Sequence, residues 1–425
     1  MTDTEKPPGT NLVIIDGVRT PFLKMGTDFA AIDAAQQGMV VVQTLLNQTG
    51  IDPELVDEVI FGCVSQPPDS ANIARVIGLR AGIPRRVSAM TVHRNCGSGL
   101  EAITTAAARM ALGKGDVFVV GGTENMSRIP FYFSATAAAK FSALARAKTA
   151  GGKVAAVLKF RPSDFSPVIG LKQGLTDPVS GLNMGETAEV LAREFHLSRR
   201  EQDEFSLKSH QKANAAREKL AEEICPVYLP DSKKGFVDAD NGPRENQSIE
   251  ALARLKPVFE RNTGTVTAGN SSQITDGSVA LLVMTESKAE SLGLQPMGRL
   301  IDYAFTGCDP KRMGLGPAYA IRELEKSSRL KPSDADVVEI NEAFSSQVLA
   351  VLALLKTGDF AGLEIPEEKL NPNGGAVALG HPVGSTGARL VLTALKELKR
   401  TGGKRALISM CIGGGQGGAA WLESM

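Results

Sequence analysis

The 425-residue chain carries 47 Lys and Arg against 47 Asp and Glu, a formal charge of +0, which leaves no electrostatic case for a nucleic-acid partner. Its 43% hydrophobic content is ordinary for a globular protein of roughly two to three packing units, and no apolar run approaches the roughly 18 to 20 residues that span a bilayer. The five cysteines, Cys63, Cys96, Cys225, Cys308 and Cys411, are odd in number and lack CxxC spacing, which argues against a disulfide framework or a zinc site.

The start, Met1-Thr2-Asp3-Thr4-Glu5, has no targeting character, and with the unpaired cysteines it points to a reducing, cytoplasmic setting. Predicted elements then begin with short apolar strands at Val13-Ile14-Ile15-Asp16 and Val59-Ile60-Phe61-Gly62-Cys63. The segment Asn95-Cys96-Gly97-Ser98-Gly99-Leu100 leads into a helix, because Leu100, Ile103, Ala107 and Met110 recur at helical spacing until Gly113 stops them. A strand at Val117-Phe118-Val119-Val120-Gly121-Gly122 closes this first part.

From about Thr123 to Thr265 the composition changes. Phe131 to Lys172 is rich in Ala, Phe and basic residues, with Lys140, Arg146, Lys148, Lys153, Lys159, Arg161 and Lys172 against one acid, Asp164. Further on, Ser198 and Glu201 form a capping-box pattern ahead of a polar helical run to about Glu223. This stretch is expected to be an inserted lid.

The last part repeats the first, with apolar runs at Leu300-Ile301-Asp302, Val337-Val338-Glu339-Ile340-Asn341 and Leu407-Ile408-Ser409-Met410-Cys411. Gly380-His381-Pro382-Val383-Gly384 precedes a helix marked by Leu390, Ala394, Leu395 and Leu398, with Lys399, Arg400 and Gly402 at its end. Two related α/β halves follow from this repetition. If they pack back to back, Cys96, His381, Cys411 and Asn341 converge on one cleft.

A packing cysteine or histidine needs no glycine around it, whereas one that meets a substrate oxygen beside backbone donors does. A free thiol is only about 3% thiolate at pH 7. A helix N-terminus adds up to ~2 kcal/mol, about 1.5 pKa units, so Cys96 as nucleophile requires a histidine as well. Of the four histidines, His196 and His210 read as solvated and His93 as structural, which leaves His381 on its stiff turn. Cys411, with a pKa tuned near neutrality, would act as acid and base. The Gly413-Gly414-Gly415 run would offer N–H groups to an oxyanion, and a phosphate-cradling loop is disfavoured because no Lys-Ser/Thr helix follows. Asn341 taken alone reads as a turn or cap, and Glu342 as a base or a surface acid.

Together the segments Asn95–Leu100, Thr265–Ser272, Asn341-Glu342-Ala343-Phe344, Gly380–Gly387 and Cys411–Gly415 resemble the thiolase family over nearly the whole chain. The resemblance implies a layered α-β-α-β-α fold of two duplicated halves with an inserted loop domain: 1–122 and 266–292 for the first half, 123–265 for the loop domain, 293–425 for the second half. It implies cleavage of a 3-oxoacyl-CoA by CoA as co-substrate, with no bound cofactor and no metal. Cys96, activated by His381, would form an acyl-cysteine, and Cys411 would move protons. One oxyanion hole would use His381 and a water on Asn341, the other the N–H groups of Cys96 and Gly413. Met184, Arg244, Phe259, Ala268, Ser272, Met313 and Phe344 fall at CoA- or acyl-contacting positions.

Short-chain biosynthetic members have His where Asn183 stands and Ser where Ala251 stands. Those departures favour a degradative β-oxidation enzyme over an acetoacetyl-CoA thiolase. A decarboxylating ketosynthase would use a second histidine in place of Cys411, and a non-catalytic lipid-binding relative would have no reason to keep all four reactive residues. The resemblance further implies a homodimer or homotetramer. The basic stretch within Phe131–Gly181 is expected to act as a solvated lid favouring CoA phosphates, or to dock a β-oxidation partner subunit or an anionic membrane surface.

Overall fold

The computed structural model describes residues 12–230 and 235–425. In chain order the principal elements of the first part are β1 (Leu12–Arg19), α1 (Ala34–Thr49), β2 (Glu58–Gly62), α2 (Ile73–Arg80), β3 (Ser88–Val92), α3 (Ser98–Ala111) and β4 (Val117–Glu124). The central stretch holds α4 (Ala135–Arg146), α5 (Ala150–Val157), α6 (Met184–Glu194) and α7 (Arg199–Ala215), and then β5 (Thr275–Thr285) returns to the sheet. The rest runs β6 (Gly298–Gly307), α8 (Gly316–Ser328), β7 (Val337–Ile340), α9 (Ser345–Leu354), α10 (Thr386–Thr401), β8 (Arg405–Ile412) and β9 (Gln416–Ser424).

The strands follow one hydrogen-bonded path, β7-β8-β9-β6-β1-β5-β4-β2-β3. β2 is parallel to both β4 and β3, as β7 is parallel to β8, and each half then turns antiparallel at β5 and β9. The counterpart of β3 is reduced to one parallel bridge, Val338 with Leu370. The two halves join where β1 pairs with β6, Val13 opposite Arg299 and Ile14 opposite Gly298.

Strand periodicity of two sorts the side chains into layers. Phe118 and Val120 of β4 face a central core with Ile408, Met410 and Ile412 of β8. Val117 and Val119 face an outer core with Val41, Val42 and Leu45 of α1. Leu407 and Val338 face the opposite outer core with Ile321, Leu324 and Val348 of α8 and α9. The central core is filled by α3 and α10, whose Leu100, Ile103, Leu390, Leu392, Leu395 and Leu398 are fully buried. Each such side chain contributes roughly 1.5–3 kcal/mol of transfer energy. The result is the five-layer α-β-α-β-α arrangement, with the halves sharing their middle layer and not merely abutting.

Glycine lets α3 and α10 meet at their N-terminal ends. A Cβ on Gly387 would lie 2.4 Å from the Leu100 nitrogen, and one on Gly99 2.8 Å from the Ala388 nitrogen. These glycines serve backbone packing, a different use from the substrate access expected of them. α7 starts at its Ser198–Glu201 capping box but ends at Ala215, short of the expected Glu223, with a brief further turn over Arg217–Ala221. Between β4 and β5, Phe133, Phe141, Phe160 and Phe165 stack at 4.8–6.2 Å around α4. Lys140 is paired with Asp164 at 2.6 Å beside them.

Candidate active site

The Cys96 turn is built from its own backbone and one serine. The Gly97 N–H donates to the Arg94 carbonyl at 2.9 Å and the Ser98 N–H to the Asn95 carbonyl at 3.0 Å. The Ser98 hydroxyl donates to that same carbonyl at 2.6 Å and accepts from the Arg94 N–H at 2.9 Å. Asn95 thereby takes a left-handed conformation, φ 44°, and α3 begins two residues beyond the cysteine.

Burial pushes the Cys96 thiol up, opposed by hydrogen bonds from the backbone N–H groups of Gly413 and of Cys96 itself. The net direction is upward, set by desolvation, where the sequence led to an expectation of lowering at a helix N-terminus. Cys411 lies on β8 just before the glycine turn. Burial first, and then the neighbouring Cys96, push its thiol well above the ordinary range. It is thus held protonated, an acid in the resting site, in place of the near-neutral group expected.

His381 is held from both ring nitrogens. Nδ1 lies 2.6 Å from the Thr386 hydroxyl and Nε2 lies 3.4 Å from Asn341 Nδ2. The Thr386 hydroxyl donates to the Pro382 carbonyl at 3.0 Å, so it accepts from Nδ1–H and leaves Nε2 unprotonated, an acceptor for the Asn341 amide N–H. Burial, then the Arg389 charge, pulls the imidazole down to about 3, which makes it neutral at pH 7. Among the described residues no hydrogen bond links His381 to the Cys96 sulfur. Asn341 is fully buried and its Oδ1 has no protein partner.

The His381 turn is anchored to the first half by Glu124, the last residue of β4. Its carboxylate accepts from the Gly384 N–H at 3.0 Å, the Val64 N–H at 3.0 Å and the Ser65 N–H at 2.9 Å. Burial still pushes it up to about 7. Glu124, Thr386 and Asn95 were missed in sequence; a polar residue closing the apolar strand Val117–Gly122 was the available sign of the first.

Glu342 is neither a surface acid nor a free base. Fully enclosed, it accepts from the Ser209 hydroxyl at 2.6 Å, Asn371 Nδ2 at 2.8 Å and the Val377 N–H at 3.1 Å, and so braces the turn that follows Asn341. The Thr265–Ser272 segment packs on the same turn, with the Ser272 N–H donating to the Ala343 carbonyl and the Ser345 N–H to the Asn270 carbonyl, both at 2.9 Å.

Met184, Phe259, Met313 and Phe344 come together with Cys411 in one apolar cluster, the Phe259 and Phe344 rings edge to face at 6.2 Å. Asn183 spends its side chain capping α6. Ala268 and Arg244 are exposed outside this cluster. The Arg244 N–H donates to His210 Nδ1 at 3.2 Å, and His210 is buried, not solvated as expected. Burial, then the Arg244 and Lys24 charges, lowers it to about 4. His196 and His93 are exposed, and the His93 ring does no more than accept the Asn95 N–H at 3.3 Å.

All five cysteines are free, and among the described residues no helix is long and apolar enough to cross a membrane and no group of acidic, His and Cys side chains is placed to hold a metal.

Residues 12–287 match the thiolase N-terminal domain family and residues 294–424 the thiolase C-terminal domain family. A 3-ketoacyl-CoA thiolase of Pectobacterium carotovorum is 37% identical over 98% of this chain and 97% of its own. An acetyl-CoA acetyltransferase of Syntrophomonas wolfei is 38% identical over 97% of this chain and 99% of its own. The crystal structure of human mitochondrial 3-ketoacyl-CoA thiolase in complex with CoA superposes with a TM-score of 0.86 at 35% identity, covering 98% of this chain and 99% of that one. With both domain families matched in order and relatives of this identity aligned along almost its whole length, the chain belongs to the thiolase family and is an acyltransferase of that kind.

Proposed function

We propose that the protein cleaves 3-oxoacyl-CoA with CoA, giving acetyl-CoA and an acyl-CoA two carbons shorter, as a degradative enzyme of fatty-acid β-oxidation in a reducing, cytoplasmic setting. The observation that carries this reading is the apolar wall of Met184, Phe259, Met313 and Phe344 packed with Cys411, in a chain that aligns with 3-ketoacyl-CoA thiolases over almost its whole length.

Substrate brings its 3-keto carbon to Cys96, and the thiol proton passes to His381 Nε2 as the S–C bond forms. This contact is made only with substrate in place, as catalytic hydrogen bonds often are. The His381 imidazole and a water on Asn341 serve one oxyanion, and the Cys96 and Gly413 N–H groups the other. The C2–C3 bond then breaks, its electrons go to the acetyl-CoA enolate, and Cys411 gives that carbon a proton. CoA next yields its thiol proton to the Cys411 thiolate and attacks the acyl-Cys96 carbonyl. Collapse of the adduct returns the electron pair to the Cys96 sulfur, which recovers its proton from His381.

Met184, Phe259, Met313 and Phe344 form the acyl wall in this reading. Ser272, Ala268 and Arg244 line the path of CoA, with the Lys24 charge near Arg244 adding to the attraction for its phosphates. Asn183, turned away to cap α6, and Ala251 in place of Ser favour acyl groups longer than acetoacetyl. The outer edge of β3 carries no partner strand among the described residues, which supports pairing with a second copy. The apolar and basic face of α4 and α5 is proposed to dock a partner subunit or an anionic surface.

Thiolysis measured across 3-oxoacyl-CoA chain lengths tests the proposal, with mass spectrometry of Cys96→Ala and Cys411→Ala. Activity should extend beyond four carbons, and acyl label should sit on Cys96 and vanish in Cys96→Ala while Cys411→Ala acylates slowly. Activity restricted to acetoacetyl-CoA would make this the short-chain enzyme, and stable acylation on Cys411 would overturn the assignment of roles.

A further inference from the structure

We propose that Asn95 is a positioning residue, whose side chain fixes the glycine turn that supplies the Gly413 N–H to the Cys96 sulfur. The proposal rests on the thiolase reading of the site above. Two features of Asn95 need separate explanations. Its left-handed backbone, φ 44°, is a conformation Asn tolerates better than most residues, and by itself that would make Asn95 a turn residue only. The side chain does something further: Nδ2 donates to the Gly413 carbonyl at 2.7 Å, across 318 positions of sequence and from one half of the molecule to the other.

Gly413 is consequently gripped at both of its polar groups by two consecutive residues of the nucleophile turn. Its N–H meets the Cys96 sulfur and its carbonyl meets Asn95. The hairpin around it is closed by the Ile412–Gln416 pair, and the Cys308 N–H holds the Gly415 carbonyl at 2.7 Å, but neither of these bonds reaches the Gly413 peptide groups. Gly413 has no side chain, and Gly414 after it sits at φ 83°. A Cβ on Gly413 would lie 3.6 Å from Asn95 Nδ2 and from Met184 Sδ, so the Asn95 side chain is among the nearest groups to this buried peptide. A donor that must point at developing charge is useful only when it is already aimed. Asn95 supplies that aim from the same turn that carries the nucleophile, so the sulfur and its donor move as one unit.

Asn95→Gly and Asn95→Asp separate the side chain from the backbone. Both accept a left-handed φ, and both lack the N–H donor, Asp presenting only acceptors to the Gly413 carbonyl. We expect each to lower thiolysis kcat about tenfold, the scale of one lost hydrogen bond at an oxyanion donor. KM for CoA and the Tm should stay within error, and iodoacetamide alkylation of Cys96 at pH 8 should slow several-fold, because the N–H that favours the thiolate is no longer held. If kcat and the alkylation rate remain within twofold of the parent in whichever of the two variants folds, Asn95 is a turn residue and the proposal is wrong. Absence of thiolysis in the parent enzyme, with Cys96 alkylation still slowed by the substitutions, would instead overturn the assigned reaction and leave the positioning role standing.

Discussion

Replacing Arg389 by Met is expected to destabilise the protein by about 1–2 kcal/mol at pH 8 and by more at pH 9, and the loss should come mainly from the partner left behind. Arg389 Nη1 donates to Glu339 Oε2 at 2.8 Å, with both side chains 1% exposed. The pair joins β7, which ends beside Asn341, to α10, which opens on the Thr386 that holds His381. It is poorly served otherwise: Arg389 Nε and Nη2 and Glu339 Oε1 have no protein partner. Burial pushes Glu339 up to about 7 even with the guanidinium opposing it, while the Glu342 and Glu223 charges push it the same way as burial. A carboxyl raised in the fold contributes stability that is fully present at acid pH and lost as pH climbs through about 7, at most roughly 3 kcal/mol here. Without Arg389 the rise is larger, so the deficit of Arg389→Met should be small near pH 5 and widen toward pH 9. Arg389→Met combined with Glu339→Leu removes both uncompensated groups and should recover most of the loss or exceed the parent. Urea unfolding of the parent and the two variants at pH 5.5 and pH 8 measures this. A single variant that loses under 1 kcal/mol at pH 8, or a double variant no better than the single, would refute the account.

The buried neutral His210 predicts an acid limb. Its folded value of about 4 is depressed, so its contribution is present above the unfolded value and disappears as pH falls from about 6.5 to 4, roughly 3 kcal/mol in all. His210→Gln should flatten that part of the stability curve, and an unchanged curve would mean that neither burial nor the Arg244 and Lys24 charges hold this ring neutral. In the α5 region, Lys148, Lys153 and Lys159 are exposed beside exposed Val154, Val157 and Leu158. Neutralising the three lysines should raise KM for long-chain substrate in a salt-dependent way with short-chain kcat intact; collapse of short-chain kcat with folding unchanged would place this stretch in the chemistry.

The strands and both central helices were legible because burial on two faces writes apolar runs and helical spacing directly into sequence. Val117–Gly122 and Leu390 to Leu398 are examples. Cys96, Cys411 and His381 stood out in the sequence because reactive side chains among glycines are rare. What sequence did not show were contacts between distant residues. Nothing local to Glu342 says that Ser209, Asn371 and Val377 will close around it, and nothing local to His210 says that the chain at Arg244 will cover it. The pKa directions failed for the same reason: desolvation of Cys96 depends on everything packed around the site, whereas the helix N-terminus that argued for a lower value is written in the next few residues.

In the proposed reaction, the duplication lets one fold provide both the chemistry and an acyl wall. In the second half, β8 returns as β9 through Gly413-Gly414-Gly415 alone, with Cys411 opposite Gly417. In the first half the equivalent return, from β4 to β5 with Glu124 opposite Gly277, contains everything from residue 125 to residue 274. A turn of three residues leaves its N–H groups bare and close to the sulfur, which an oxyanion requires. A long connection can instead fold back over that bare turn, and it carries Met184 and Phe259 to Cys411. Lengthening the glycine turn would bury the donors, and shortening the long connection would strip away the wall. The halves therefore diverged most at the one connection where identical lengths could not have served both needs.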